Sequence, residues 1–229
     1  MEEKIMAASI LKQSQKCYNF LSKLVVLPSK RTLQRLLSTV NIKPGVNKRI
    51  FNNLKENVRK LPTEKRLFTL LFDEVALSPG LHFDKKEIIG FQDCGDKKTK
   101  IIADHALVLM IKGTKSKTKQ PILFTFCKSL TKAIELKKIV MTTIRQLRKA
   151  GIIIIATICD QASTNVSCIK ILQKETREKY LRKSLEYHSN AFVVDEKIFP
   201  LFDPPHLLKG VRNNFITKNI RFTQNNQEK

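Results

Sequence analysis

The sequence predicts a mixed α/β sheet with flanking helices, preceded by a basic, all-helical segment. Three observations carry that expectation: apolar runs of strand length that stop at an acid or a turn, amphipathic helices between the later runs, and a change of periodicity near residue 66. At 229 residues the chain has room for one ordinary domain and a smaller appendage. Hydrophobic residues make up 42%, enough for a core. With 43 Lys and Arg against 20 Asp and Glu the net charge is +23, which a compact domain carries most easily beside a polyanion. Nucleic acid is the expected partner. No membrane partner is expected, because the longest apolar stretch, Gly151 to Cys159, is about half the roughly 20 residues a spanning helix needs. The N-terminus, Met1-Glu2-Glu3-Lys4, does not read as a secretory signal. Five scattered cysteines, with no C-x-x-C, argue against a structural zinc and a disulfide framework and for a reducing compartment.

The first 66 residues hold 15 Lys and Arg against four Glu. Apolar residues from Ile5 to Leu24 recur at helical spacing. After Leu27-Pro28, Ser29 caps a short helix over Lys30 to Thr39, and Pro44-Gly45 turns into a third helix from Asn47 to Leu61. Short basic helices joined by tight turns are compatible with a helix-turn-helix module, in which Lys30, Arg31, Arg35, Lys48 and Arg49 contact DNA phosphates. A basic helical hairpin that merely packs on the next domain fits the composition as well.

Leu61 to Arg66 reads as a linker, and Leu67 to Phe72 as a strand buried on both faces that ends at Asp73-Glu74. Leu81 to Phe83 pairs with Ile88 to Phe91 across the turn Asp84-Lys85-Lys86, and His105 to Ile111 pairs with Pro121 to Cys127. Thr131 to Ala150 is an amphipathic helix stopped by Gly151. Ile152 to Cys159 is a β-branched strand ending at Asp160. A helix from Ser163 to Gln173, a second charged helix to Tyr187, and strands at Phe192 to Val194 and Ile198 to Phe202 follow. Asp203 then caps a helix with proline in its first turn.

Two strands thus end at an aspartate. If they lie parallel and adjacent, Asp73 and Asp160 converge on one sheet edge, where hard oxygen donors hold Mg²⁺ or Mn²⁺. Taken from spacing alone, each aspartate fits a turn cap equally well. Glu74 alternates to the opposite face and is no third ligand. Cys159 reads as a core thiol, His82 and His105 as ordinary strand residues and His206 as a structural residue of a helix start. Lys209 and Arg212 share a helical face that suits either phosphate contact or solvent.

Several blocks, taken together in order and spacing, resemble the P-element transposase family, which includes the vertebrate THAP-domain transposase-like proteins. They are Leu71-Phe72-Asp73-Glu74-Val75-Ala76-Leu77, Leu81-His82-Phe83-Asp84, Ile89-Gly90-Phe91, Ile158-Cys159-Asp160-Gln161-Ala162-Ser163-Thr164-Asn165, Phe202-Asp203-Pro204-Pro205-His206-Leu207-Leu208-Lys209 and Val211-Arg212-Asn213-Asn214. The resemblance implies an RNase H-like catalytic domain in which Asp73 and Asp160 are two of three acidic metal ligands. It implies Mg²⁺ or Mn²⁺ as cofactor, GTP as a cofactor of the parent family, DNA as partner, nuclear residence and a homo-oligomeric working form. The stretch Leu27 to Leu37 resembles the family's helix-turn-helix region. The expected organisation is a DNA-binding helical region at 1–66, the first part of the catalytic core at 67–203, and the start of a GTP-binding insertion with a polar tail at 204–229.

The departures are equally specific. No zinc-binding THAP domain precedes the helices, and the third acid, supplied by the family after the insertion, has no counterpart; Glu228 in the tail is a poor substitute. The expected function is that of a transposon-derived DNA transposase fragment, with metal-dependent strand cleavage and transfer in the parent family and little or no turnover by this chain alone. The alternative is a non-catalytic, repressor-like DNA-binding remnant.

Overall fold

The apolar runs of the sequence become the centre of one nine-stranded sheet. The structure is a computed structural model that describes residues 2–39, 42–84, 87–187, 190–218, 223–224 and 227–228. The chain divides into two compact units, Met1–Lys43 and Pro44–Lys229.

The first unit contains α1 (Glu2–Gln13), α2 (Gln15–Leu24) and α3 (Lys30–Leu37). The helical pattern from Ile5 to Leu24 is therefore two helices rather than one. Ser14 adopts extended backbone between them and accepts a hydrogen bond from Cys17 N at 3.2 Å, so it caps the second helix. Ala7, Tyr18 and Leu33 form the small core, and the Tyr18 hydroxyl donates to the Pro28 carbonyl. Ser29 caps α3 as expected, accepting from Thr32 N at 3.2 Å.

The second unit runs β1 (Gly45–Val46), α4 (Lys48–Arg59), a 3-10 turn (Thr63–Arg66), β2 (Leu67–Ala76), β3 (His82–Asp84), β4 (Glu87–Ile89), β5 (Phe91–Asp93), β6 (Lys98–Ile102), β7 (His105–Gly113) and β8 (Lys119–Cys127). It continues with α5 (Ala133–Lys149), β9 (Ile153–Cys159), α6 (Ser163–Arg182), β10 (Phe192–Val194), β11 (Glu196–Phe202) and α7 (Pro204–Thr217). Sheet order is β10-β11-β9-β2-β7-β8-β5-β6, with β1 added on β8 and β3-β4 a separate hairpin. The turn residues Lys85 and Lys86 lie outside the described residues. β11, β9 and β2 are mutually parallel, and β7 and β8 extend the sheet antiparallel from β2. Parallel neighbours need a crossover, which α6 supplies between β9 and β11.

Phe68, Leu70 and Phe72 of β2 join Leu107, Leu109 and Ile111 of β7, Ile154 and Cys159 of β9, and the buried sides of α4, α5 and α6 in one core. Helix α4 contributes Phe51, Leu54 and Val58 to that core, so the third basic helix packs with the sheet although its charge resembles that of the helices before it. Its tether β1 crosses the Cys94–Gly95 turn so closely that a Cβ on Gly45 would lie 2.8 Å from Gly95 Cα. The charged helix expected after Gln173 is the second half of α6. No helix breaker interrupts it, and it turns polar because it leaves the core. The described residues contain no helix long and apolar enough to cross a membrane.

Candidate active site

β2, β9 and β11 all point the same way, so their C-terminal ends share one rim of the sheet. The ladder pairs Leu71 with Ile158 and Ile158 with Leu201. Counted on by two residues past these pairs, Asp73, Asp160 and Asp203 fall in one row of equivalent register positions just beyond the last β2–β9 and β9–β11 pairs. The Asp203 N–H donates to the Cys159 carbonyl at 2.9 Å, which extends the β11–β9 pairing to the row itself. Alternation turns the row away from Phe72 and Cys159, which belong to the core. Asp73 does not end its strand as the apolar run suggests. β2 continues to Ala76, with Asp73 opposite Val108 of β7, and it is β9 that stops.

The two central carboxylates are held differently. Asp73 is exposed, and among the described residues its Oδ1 accepts only from the Glu74 N–H, at 2.8 Å. Asp160 is half-buried just before α6. Its Oδ1 accepts from Ala162 N at 2.9 Å and from Asn165 Nδ2 at 2.6 Å. Asn165 is 5% exposed, which fixes the side chain that donates. A carboxylate at a helix N-terminus is also favoured by the helix dipole. Both Asp73 and Asp160 act on the same thiol. Burial, followed by the charges of Asp160, Cys168 and Asp73, pushes Cys159 up to about 12. Cys159 is thus a protonated core thiol, as read from the sequence.

The remaining acids at this rim are committed elsewhere. Glu74 Oε1 accepts from Thr131 N at 2.8 Å and anchors the loop before α5. Asp104 is bound by His105 Nδ1 at 2.8 Å, Lys128 Nζ at 2.8 Å and Ser129 N at 2.6 Å. The His105 and Lys128 hydrogen bonds hold its carboxyl well below the usual carboxylate range. Asp203 precedes α7 as expected, yet its side chain makes no capping bond. Its Oδ2 stands 3.9 Å from His206 Nε2 instead. Among the described residues, no group of three or more His, Cys, Asp and Glu side chains is gathered to hold a metal ion. The Glu228 side chain lies outside the described residues.

The basic residues singled out in the sequence fall on three helices. Lys30, Arg31 and Arg35 lie on α3, Lys48 and Arg49 in the first turn of α4, and Lys209 and Arg212 on α7. Except for the half-buried Lys30 all are exposed, and none makes an ion pair among the described residues. Reading the sequence did not single out Asn165, whose bond to Asp160 spans a turn and the start of a helix, or Asp203 as the neighbour of Asp160. The available signal for Asp203 was that its apolar run, like those before Asp73 and Asp160, is followed by an acid.

Residues 42–173 match the family model described as TNP-like, RNase H N-terminal domain. The chain is 26% identical over 194 residues to the transposable element P transposase of Drosophila melanogaster, covering 85% of this chain and 23% of that protein. It is 25% identical over 220 residues to the DNA transposase THAP9 of Homo sapiens, covering 93% of this chain and 24% of that protein. The chain therefore spans about a quarter of the length of these relatives. In fold it is similar to the solved Drosophila P element transposase strand transfer complex, with a TM-score of 0.66 and 24% identity over 97% of this chain and 45% of that one. The mixed sheet is accordingly RNase H-like, and the chain belongs to the TNP-like, RNase H N-terminal domain family.

Proposed function

We propose that this chain is the DNA-binding and first catalytic portion of a DNA transposase, in which Asp73 and Asp160 share a divalent cation that acts on DNA phosphodiesters. The supporting observation is the parallel register of β2 and β9, whose last pair, Leu71 with Ile158, stands two residues before each aspartate. The donor set fits such an ion. Each carboxylate has Oδ1 engaged by a backbone N–H and Oδ2 without a hydrogen-bond donor among the described residues. Hard, anionic oxygens of this kind suit Mg²⁺ or Mn²⁺, and RNase H-like transposases generally use divalent metal ions. When bound, such an ion supplies charge neutralisation at a phosphate oxygen. The chain's own residues do the rest. Asn165 and the Ala162 N–H hold Asp160 Oδ1 in place, and Asp73 supplies the second carboxylate. Lys30, Arg31 and Arg35, with Lys48 and Arg49, bind DNA phosphates, and Lys209 and Arg212 contact phosphate of DNA or GTP. Acting on DNA, the chain works in the nucleus.

A second reading, DNA binding without cleavage, is favoured by one observation: the described residues offer no third acid gathered with the pair. Nicking of supercoiled plasmid by the full chain with Mn²⁺ separates the two. The catalytic reading expects slow, metal-dependent nicking that disappears in Asp73→Ala and in Asp160→Ala. Binding with no nicking, or nicking that survives both substitutions, overturns it.

A further inference from the structure

Away from the aspartate rim, a cavity of about 390 Å³ opens between the ends of α5 and α6 and the strand β10. Thr176, Lys179, Tyr180 and Arg182 of α6, with Lys183 just after it, line the cavity, so it lies about 20–30 Å along the helix from Ser163, at 1.5 Å per residue. Its floor is apolar, from Met141, Leu185 and Val193. Around that floor stand Arg145, Lys179, Arg182 and Lys183 against one carboxylate, Asp195. None of the four cations has an acidic partner among the described residues, whereas others on the same helices do. Lys137 pairs with Glu175 at 2.5 Å, and Arg148 pairs with Glu196. Thr176, Lys179 and Tyr180 share one face of α6 at i, i+3 and i+4 spacing and Lys183 follows as its C-cap, so the aromatic ring stands among the charges. Tyr180 is also braced. Tyr187 meets it edge to face with centroids 6.0 Å apart, and the Tyr187 hydroxyl donates to backbone carbonyls of Gln173 and Ala191 at 3.3 and 3.4 Å.

We propose that this cavity binds one nucleotide of a single-stranded DNA segment, its base on Tyr180 and the apolar floor and its flanking phosphates on Arg145, Lys179, Arg182 and Lys183. The volume is of the size of a small-ligand site. The combination of a held aromatic face with unpaired cations is the recognition chemistry of single strands, whose unpaired bases expose a face for stacking. A duplex keeps its bases paired and offers the cavity only phosphate. Lys179 and Lys183, one turn apart, are about 6 Å apart along the helix and can serve successive phosphates. The proposal rests on the reading of the chain as DNA-binding but not on cleavage or metal.

The test is fluorescence anisotropy of a labelled 15-residue oligothymidylate with the full chain in EDTA. Tyr180→Ala is expected to weaken binding roughly tenfold and Tyr180→Phe to leave it unchanged. Arg182→Ala with Lys183→Ala is expected to weaken binding and to lower the salt slope by about 0.7 per charge removed. Binding to a duplex of the same length is expected not to respond to Tyr180→Ala. Strand binding that is absent or indifferent to Tyr180, an equal loss on duplex, or free thymidine monophosphate binding as tightly as the strand each overturn the proposal. Loss of nicking in Asp73→Ala with Tyr180-dependent binding intact leaves it standing. Metal-dependent nicking by a Tyr180→Ala variant with unchanged strand affinity sinks this pocket alone.

Discussion

Asn165→Ala tests how Asp160 is held. The amide is 5% exposed and donates to Asp160 Oδ1 at 2.6 Å, so its removal deletes a hydrogen bond to a charged acceptor. Such bonds contribute about 1.5–3 kcal/mol. Asp160 is only half-buried and keeps the Ala162 N–H at 2.9 Å, which places the expected loss toward the lower end, about 2 kcal/mol. For a chain of this length that corresponds to a fall in Tm of about 4–8 °C. Asn165→Asp keeps the volume but replaces the donor with a carboxylate oxygen facing Asp160, so it must destabilise as well. Denaturant unfolding of the wild type, Asn165→Ala, Asp160→Ala and the double variant gives the coupling directly. A non-additivity of about 1–2 kcal/mol is expected. Additive losses within about 0.5 kcal/mol, or an Asn165→Asp variant as stable as the wild type, would refute the reasoning.

Four further outcomes follow from the same structure. Thr157 Oγ1 is buried without a hydrogen-bond partner among the described residues, so Thr157→Val should raise stability by about 1 kcal/mol in chemical denaturation. Burial pushes the Cys159 and Cys168 thiols up to about 12 from an ordinary 9.0, and both stay protonated in the fold while they ionise on unfolding. Their contribution is therefore complete below pH 9.0 and is lost as pH rises toward 12, which circular dichroism through that range should register as alkaline unfolding. At pH 8, thiol labelling should mark the exposed Cys17 first and leave both buried thiols untouched until denaturant is added. Finally, alanine at Lys30, Arg31 and Arg35 should lower the salt slope of duplex DNA binding by about 0.9 per residue, and an unchanged slope would remove α3 from the interface.

The parallel centre of the sheet was legible because its strands are buried on one or both faces and so carry nearly unbroken apolar runs, as in Leu67 to Phe72 and Ile153 to Cys159. Their ends were less legible. β2 outlasts its apolar run by four residues because Asp73 to Ala76 are held by β7 alone, at the solvent rim. Edge strand β6, Lys98–Ile102, was missed because Lys98, Thr99 and Lys100 leave it only two apolar residues, too short a run to read as a strand, and lysines on an edge are ordinary. The break at Ser14 lacks glycine or proline, and the continuity of α6 past Gln173 is masked by a shift from core to solvent composition. Helix α4 looks like part of the basic leader by charge, yet its apolar stripe, Phe51, Leu54 and Val58, belongs to the sheet's core. At the candidate site, both aspartates stand out in the sequence as acids that follow apolar runs, but bringing them together depends on a register between strands more than eighty residues apart. Local pattern carries no information on that register.

Isothermal titration of Mn²⁺ into the wild-type chain, Asp73→Ala, Asp160→Ala and the double variant probes the shared cation without requiring turnover. One Mn²⁺ per chain is expected, with affinity reduced at least tenfold by either substitution and no further by both together. Mn²⁺ uptake that is untouched by Asp73→Ala, or independent losses at the two positions, would mean that the carboxylates do not hold a common ion.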